Sequence, residues 1–125
     1  MLRWANAMQK LCLVMLLSLL PVLSMLSMAA DTQTEIDHLL TYLTESGCTY
    51  VRNGSEHSAS EAVEHILKKY RYFEDDIDTT EQFIELSASE STFTGRDYLI
   101  RCPGQPEQPS RDWLLAELQR YRQQE

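Results

Sequence analysis

The sequence has few of the residues that mark several classes of protein. It contains four glycines and four prolines in 125 residues, which excludes collagen-like and low-complexity chains. Lysine and arginine together number 11 against 19 aspartates and glutamates, so the formal net charge is −8. Such a composition lacks the positive surface that binds nucleic-acid phosphates, and anionic membranes repel it. We therefore predict no nucleic-acid partner and no attraction to an anionic membrane.

The N-terminal segment has the pattern of a secretory signal peptide. Arg3 and Lys10 precede an apolar run over residues 11–20, and no acidic residue accompanies them. Ser27 and Ala29 supply the small side chains that signal peptidase requires, which predicts cleavage after Ala29. A retained membrane anchor stays open as an alternative, because weak apolar character continues beyond the run.

Cleavage at this point would divide the chain into a signal peptide, residues 1–29, and one small α+β domain, residues 30–125. The remaining length suits one hydrophobic core, and no repeat or flexible linker divides it. The domain would be periplasmic or secreted, without stable membrane insertion.

Only Cys48 and Cys102 would remain after removal of the leader, which holds the third cysteine. An even number of cysteines in an exported chain predicts a disulfide. The bond would stabilise the fold by about 4 kcal/mol in the chain-entropy model. A free pair or a redox couple are the alternatives, although the wide spacing is unlike a redox motif. The spacing also predicts no metal site.

Four segments carry helical apolar stripes. Capping boxes at Thr32-x-x-Glu35, Ser58-x-x-Glu61 and Thr79-x-x-Gln82 predict three helix starts, and Ser110 after a proline predicts a fourth. The corresponding stripes are Ile36, Leu39, Leu40, Leu43; Ala62, Val63, Ile66, Leu67, Tyr70; Phe83, Ile84, Ser87, Ala88; and Trp113, Leu114, Leu118, Tyr121.

Two segments rich in aromatic and branched residues, 48–52 and 98–102, are predicted strands, and the first runs into the turn signal Asn53-Gly54. If the two cysteines face each other across antiparallel strands, the residue numbers of every other facing pair have the same sum as those of the two cysteines. This register pairs Tyr50 with Ile100, Val51 with Leu99, and Arg52 with Tyr98. The predicted fold class is α+β: four helices packed on a two-stranded antiparallel ribbon, stapled by one disulfide.

The densest polar cluster surrounds the second predicted helix. Candidate binding residues are Arg52, Asn53, His57, Glu61 and His65. A small hydrolase or metal-dependent enzyme could use the histidines and Glu61, with Arg52 as an anion clamp. Alternatively Glu61 closes a capping box and His65 is a surface residue, since the His-Glu-x-x-His spacing of metalloproteases is absent. The sequence therefore predicts no catalytic residue, metal or cofactor.

Two further clusters are interpreted as structural. An acidic turn over residues 75–78 follows the basic residues 68–71, and it lacks the glycine and closing glutamate of an EF-hand, so we expect a solvated loop. The serines of 87–91 lie in no nucleophile motif. Aromatic residues are more numerous than a core of this size needs, so some could form a partner-binding patch.

A set of short motifs is similar to the YfeK-like family of small exported bacterial proteins. The resemblance runs from about Ile36 to Tyr121, although Arg96-Asp97 stands where members usually carry proline. It implies a one-domain periplasmic or secreted protein and brings no activity, cofactor or catalytic residue. The motifs are Val51-Arg52-Asn53-Gly54, His57-Ser58, Glu61-Ala62, His65-Ile66-Leu67-Lys68, Ile77-x-Thr79, Glu81-Gln82-Phe83-Ile84, Thr94-Gly95 and Tyr98.

These observations predict a non-enzymatic binding or inhibitor-type module of the cell envelope. The acidic surface favours a basic protein partner and a salt-dependent association. The small hydrolase or metal-dependent enzyme is the alternative, and an envelope-stress or assembly factor would differ only in its partner.

Overall fold

The structure, a computed structural model, describes residues 20–124, with side chains described for residues 31–124. The chain divides into two compact units, Met1–Asp31 and Thr32–Glu125, and the account below concerns the second. Most of the predicted signal peptide and the side chains at its cleavage site lie outside the described residues, so that prediction is untested. Among the described helices, none combines the length and the hydropathy required to cross a membrane.

The described residues form four α-helices and one four-stranded antiparallel sheet, with strand order β2-β1-β3-β4. The prediction of four helices in an α+β fold is confirmed, whereas the two-stranded ribbon is too small. The elements are α1 (Leu20–Glu45), β1 (Thr49–Arg52), β2 (Ser55–His57), α2 (Ala59–Phe73), a 3-10 turn (Glu74–Asp76), α3 (Thr80–Ala88), β3 (Leu99–Arg101), β4 (Gln108–Pro109) and α4 (Ser110–Arg122).

Two of the predicted helix starts are confirmed. The side chains of Ser58 and Thr79 each accept a hydrogen bond from the backbone N–H three residues later, at 3.2 Å, and both capping boxes close reciprocally. The prediction at Thr32 is wrong, because α1 begins at Leu20. The prediction at Ser110 is also wrong, because this residue is the buried first residue of α4 and the cap position belongs to Pro109.

The central strand pair has the predicted register. Tyr50 faces Ile100 and Val51 faces Leu99 across β1 and β3. Cys48 and Cys102 are disulfide-bonded just beyond the ends of this ladder, with a Cα–Cα distance of 4.3 Å. The disulfide prediction is therefore confirmed. The ladder stops before Tyr98, so the third predicted pair, Arg52 with Tyr98, is not formed.

The helices pack on the sheet around one hydrophobic core. Trp113 is buried in this core, and its ring stacks on Tyr42 at a centroid distance of 4.6 Å. Buried apolar residues come from every helix and from both central strands: Ile36, Leu39, Leu43, Cys48, Tyr50, Ala62, Ile66, Phe83, Ile84, Ala88, Tyr98, Ile100, Trp113, Leu114 and Leu118.

A polar contact joins three helices at one edge of the core. The buried carboxylate of Glu35 accepts a 2.7 Å hydrogen bond from the Thr80 hydroxyl and is paired with Arg122, which also pairs with Glu81. The hydrogen bond from Arg122 holds the pKa of Glu35 below its usual value, against the opposing effect of burial. This contact occupies the glutamate that was predicted to cap α1.

Candidate functional site

The described residues enclose a cleft of about 650 Å³ between α2, the end of β1, and the loop of residues 89–98 that leads to β3. A cavity of this volume is within the range that accepts small molecules. The residues that line this cleft are Arg52, Asn53, His65, Lys68, Lys69, Tyr72, Phe73, Ser91, Thr92, Phe93 and Tyr98.

Helix α2 supplies one wall through its helical spacing. His65, Lys68, Lys69 and Tyr72 lie three to four residues apart, so they share one face of the helix. Ala62 and Ile66 are buried in the core and fix the orientation of that face. The core packing of α2 therefore turns two lysines and an aromatic ring toward the cleft.

Tyr98 connects the sheet to α2 at the base of this wall. Its side chain is buried, and its hydroxyl lies 3.0 Å from His65 Nε2 and accepts a hydrogen bond from Lys69 Nζ at 3.3 Å. Lys69 also lies over the Tyr98 ring, 4.9 Å from its centroid, and donates to the Glu90 carbonyl at 2.6 Å. The cation above this ring is thus Lys69 and not Arg52, which the predicted strand register paired with Tyr98.

The opposite wall is a tight loop that hydrogen-bonds to itself. The N–H of Ser91 donates to the Arg96 carbonyl, and the N–H of Gly95 donates to the Ser91 carbonyl, both at 2.9 Å. Gly95 adopts a positive φ of 69°, which glycine accommodates without steric cost. Phe93 is at the tip, and its side chain is fully exposed at 100%.

Asn53 holds this loop in place. It occupies the β1–β2 turn with a φ of 49°, followed by Gly54 at 79°, as a type I′ turn requires. Its amide donates to Ser91 Oγ at 3.2 Å, and its amide oxygen accepts a 2.7 Å hydrogen bond from the Thr94 hydroxyl. Asn53 is therefore both a turn residue and the anchor of the Phe93 loop.

The structure divides the five predicted site residues into two groups. Arg52, Asn53 and His65 line the cleft. Glu61 instead closes the capping box of α2, where its carboxylate accepts from the Ser58 N–H and lies 3.3 Å from His57 Nδ1. His57 and Glu61 are not among the residues that line the cleft.

The cleft is electropositive. Burial, followed by the positive charges of Arg52 and Lys69, lowers the pKa of His65 to about 4, so this ring is neutral at neutral pH. Burial also lowers the pKa of Lys69; the Glu90 carboxylate opposes this shift and the Arg52 charge adds to it. Among residues 31–124, no group of three or more histidine, cysteine or acidic side chains is arranged to hold a metal ion.

Comparison with known proteins places the chain in a family. The model of a family of unknown function, DUF5329, matches residues 30–122. This chain belongs to the DUF5329 family. The curated "Uncharacterized protein YfeK" of Salmonella typhimurium is 35% identical over 92 residues, which cover 73% of this chain and 77% of the relative. The resemblance to the YfeK-like family is thereby confirmed, and no solved structure matches.

Sequence reasoning missed most of the cleft of this DUF5329 protein. It placed Lys68 and Lys69 within the second predicted helix, whose stripe runs to Tyr70, but it named neither lysine as a site residue, whereas both line the cleft. The signal for this wall was present in their spacing from His65 and Tyr72. Phe93 had no such signal, because its position depends on a loop fixed by contacts with a distant turn.

Proposed function

We propose that this DUF5329 protein is an exported, non-enzymatic binding module whose ligand occupies the cleft. The observation that carries the proposal is a cleft of about 650 Å³ with two exposed aromatic side chains in its lining, Phe93 at 100% and Tyr72 at 80% exposure. Leaving large apolar side chains in water is unfavourable, and exposed aromatic residues at a concave surface are typical of binding sites.

The geometry favours binding over the alternative small hydrolase or metal-dependent enzyme. That alternative requires Arg52, His57, Glu61 and His65 to converge on one reaction centre. Arg52 and His65 line the cleft, but the lining does not include the pair that would supply a general base, His57 and Glu61. The carboxylate of Glu61 is instead engaged with the N-terminus of α2.

Export to the periplasm or the medium is part of the proposal. The leader pattern of residues 1–29 supports it, as does the disulfide, because such bonds persist in oxidising compartments. The DUF5329 match begins at residue 30, next to the predicted cleavage site. Intact-mass measurement of the protein recovered from periplasm and medium should find an oxidised chain that starts at Ala30. Recovery of the full-length chain from the membrane fraction would contradict export.

The test of binding compares cleft and control variants. Wild type, Phe93→Ala and Gln105→Ala are immobilised, and the molecules retained from a periplasmic extract are identified by mass spectrometry. Gln105 lies on another exposed loop and is the matched control. We expect a ligand retained by wild type and Gln105→Ala and lost by Phe93→Ala, and its addition to the purified protein should shift the NMR amide signals of the cleft. Equal retention by all three proteins would contradict this proposal.

A further inference from the structure

The charged residues of the cleft are all of one sign, although the protein is acidic. The chain has 19 acidic and 11 basic residues, yet the described lining contains three cations, Arg52, Lys68 and Lys69, and no aspartate or glutamate. Positive charges concentrated in a concave surface attract anions over distances of about one Debye length, roughly 8–10 Å at physiological salt.

Arg52 is the cation of this group whose geometry is best suited to an anionic ligand. Arg52 is half-buried, and within the described part of the chain its guanidinium forms no hydrogen bond or ion pair, whereas Arg101, Arg120 and Arg122 are each paired with carboxylates. A guanidinium presents parallel N–H donors that match the two oxygens of a carboxylate or phosphate. Its position at the end of β1, beside the turn, holds it at the cleft.

The cations also act on one another. The charge of Arg52 lowers the pKa of Lys69, so the two groups are close enough to repel. Lys69 is already engaged with the Tyr98 hydroxyl and the Glu90 carbonyl, and the Glu90 carboxylate offsets part of its charge. An anion beside Arg52 would relieve the remaining repulsion and gain hydrogen bonds.

We propose that the ligand of the cleft carries a carboxylate or phosphate group, held by Arg52 with help from Lys68, next to an apolar or aromatic group that contacts Phe93 and Tyr72. This inference depends on the proposed function, because it specifies the ligand of the same cleft. The cleft would therefore prefer an anionic ligand, whereas the net charge of the chain predicts a basic partner. The prediction of a basic partner applies separately, to the acidic surface outside the cleft.

The test uses probes that share one scaffold and differ in charge. 3-Phenylpropionate, 3-phenylpropanol and 3-phenylpropylamine are titrated into the oxidised protein, with 3-phenylpropyl phosphate as the second anion. NMR amide shifts in residues 52–53, 65–73 and 91–98 report binding. We expect both anions to bind about tenfold more tightly than the alcohol, the amine to bind least, and added salt to weaken the anions alone. Comparison of the two anions distinguishes carboxylate from phosphate recognition.

Variants test whether the tighter binding of the anionic probes arises in the cleft. Arg52→Gln should weaken the anions about tenfold and leave the alcohol unchanged, whereas Phe93→Ala should weaken all probes alike. Arg71→Gln removes a positive charge from α2 outside the lining and should leave the binding of every probe unchanged. Circular dichroism and thermal unfolding verify that each variant is folded.

Two results would overturn the inference, and they differ in meaning. If the alcohol binds as tightly as the acid and Arg52→Gln has no effect, the cleft binds ligands without selecting anions. Binding at the cleft would then stand while the anion inference fails. If no probe moves the cleft amides at millimolar concentration, both the inference and the cleft as binding site are wrong.

Discussion

At the scale of single residues, His65 combines a polar partner with an electropositive setting. Its ring nitrogen is hydrogen-bonded to the Tyr98 hydroxyl, and Arg52 and Lys69 act on it electrostatically. A protonated ring would add a fourth positive charge to a cluster that the described lining does not neutralise. Burial of the ring, and then these charges, favour its neutral form in the folded protein, with a pKa of about 4 against the usual 6.5.

This shift predicts acid sensitivity between pH 6.5 and 4. Because the pKa is lower in the folded protein than in the unfolded chain, the unfolded chain takes up a proton first as pH falls. The associated stability is present above pH 6.5 and is lost as pH falls toward 4. In His65→Gln, which keeps a hydrogen-bonding group, urea unfolding should show a flatter pH dependence in this window. Parallel profiles for the two proteins would contradict the assignment.

Glu35 predicts a second effect at this scale. Its carboxylate is buried and accepts from Thr80 and Arg122, so Glu35→Gln removes a charge-assisted contact between helices. We expect a loss of about 1–3 kcal/mol in the free energy of unfolding. Glu45→Gln, at an exposed position of the same helix, should change it by less than about 0.5 kcal/mol. A Glu35→Gln protein as stable as this control would show that the contact contributes nothing.

At the scale of elements, the β1–β2 turn and the Phe93 loop form one unit. Asn53 provides both the positive φ of the turn and the side-chain contacts of the loop. The two roles can be separated, because glycine tolerates the same backbone conformation without the side chain.

Asn53→Gly should keep the hairpin and release the loop. We expect a stability loss of about 1–2 kcal/mol and faster amide hydrogen exchange at Ser91 and Gly95, with β1–β2 protection retained. Gly54→Ala is the complementary variant: its φ of 79° strains a side chain by about 1–2 kcal/mol, yet the loop contacts stay. Equal exchange in the loop for both variants would show that Asn53 does not anchor it.

The same elements show how far sequence reasoning reaches. The two cysteines, each adjacent to one of these strands, were sufficient to predict the β1–β3 register, because a disulfide between antiparallel neighbours fixes all later pairs. Strand β2 was not predicted because its sequence, Ser-Glu-His, has no alternation of apolar and polar residues. Strand β4 was not predicted because it has two residues and ends in proline, which is more typical of a loop. The cleft forms because the loop that starts at residue 89 lies opposite α2, and local sequence patterns do not predict this long-range arrangement.

At the scale of the whole molecule, the disulfide joins the two central strands across 54 positions. β1 carries Arg52 at its end, and Tyr98 directly precedes β3, so the bond constrains the strands that support the cleft. Its main thermodynamic effect is expected in the unfolded chain, whose freedom it restricts.

Reduction should therefore destabilise the domain by about 4 kcal/mol in the chain-entropy model. Urea unfolding with and without reductant measures the difference, and we expect the midpoint to fall on reduction. The double variant Cys48→Ala/Cys102→Ala should match the reduced protein and no longer respond to reductant. An unchanged midpoint after complete reduction, verified by thiol alkylation, would show that the bond does not contribute to the free energy of unfolding.

The burial of Trp113 has a practical consequence for all of these measurements. The sequence has two tryptophans, and the other, Trp4, belongs to the predicted leader. A chain that starts at Ala30 would therefore contain a single indole, buried against Tyr42 and absent from the cleft lining. Its fluorescence should move to longer wavelength when the core opens, and it gives a built-in optical reporter of unfolding that needs no label.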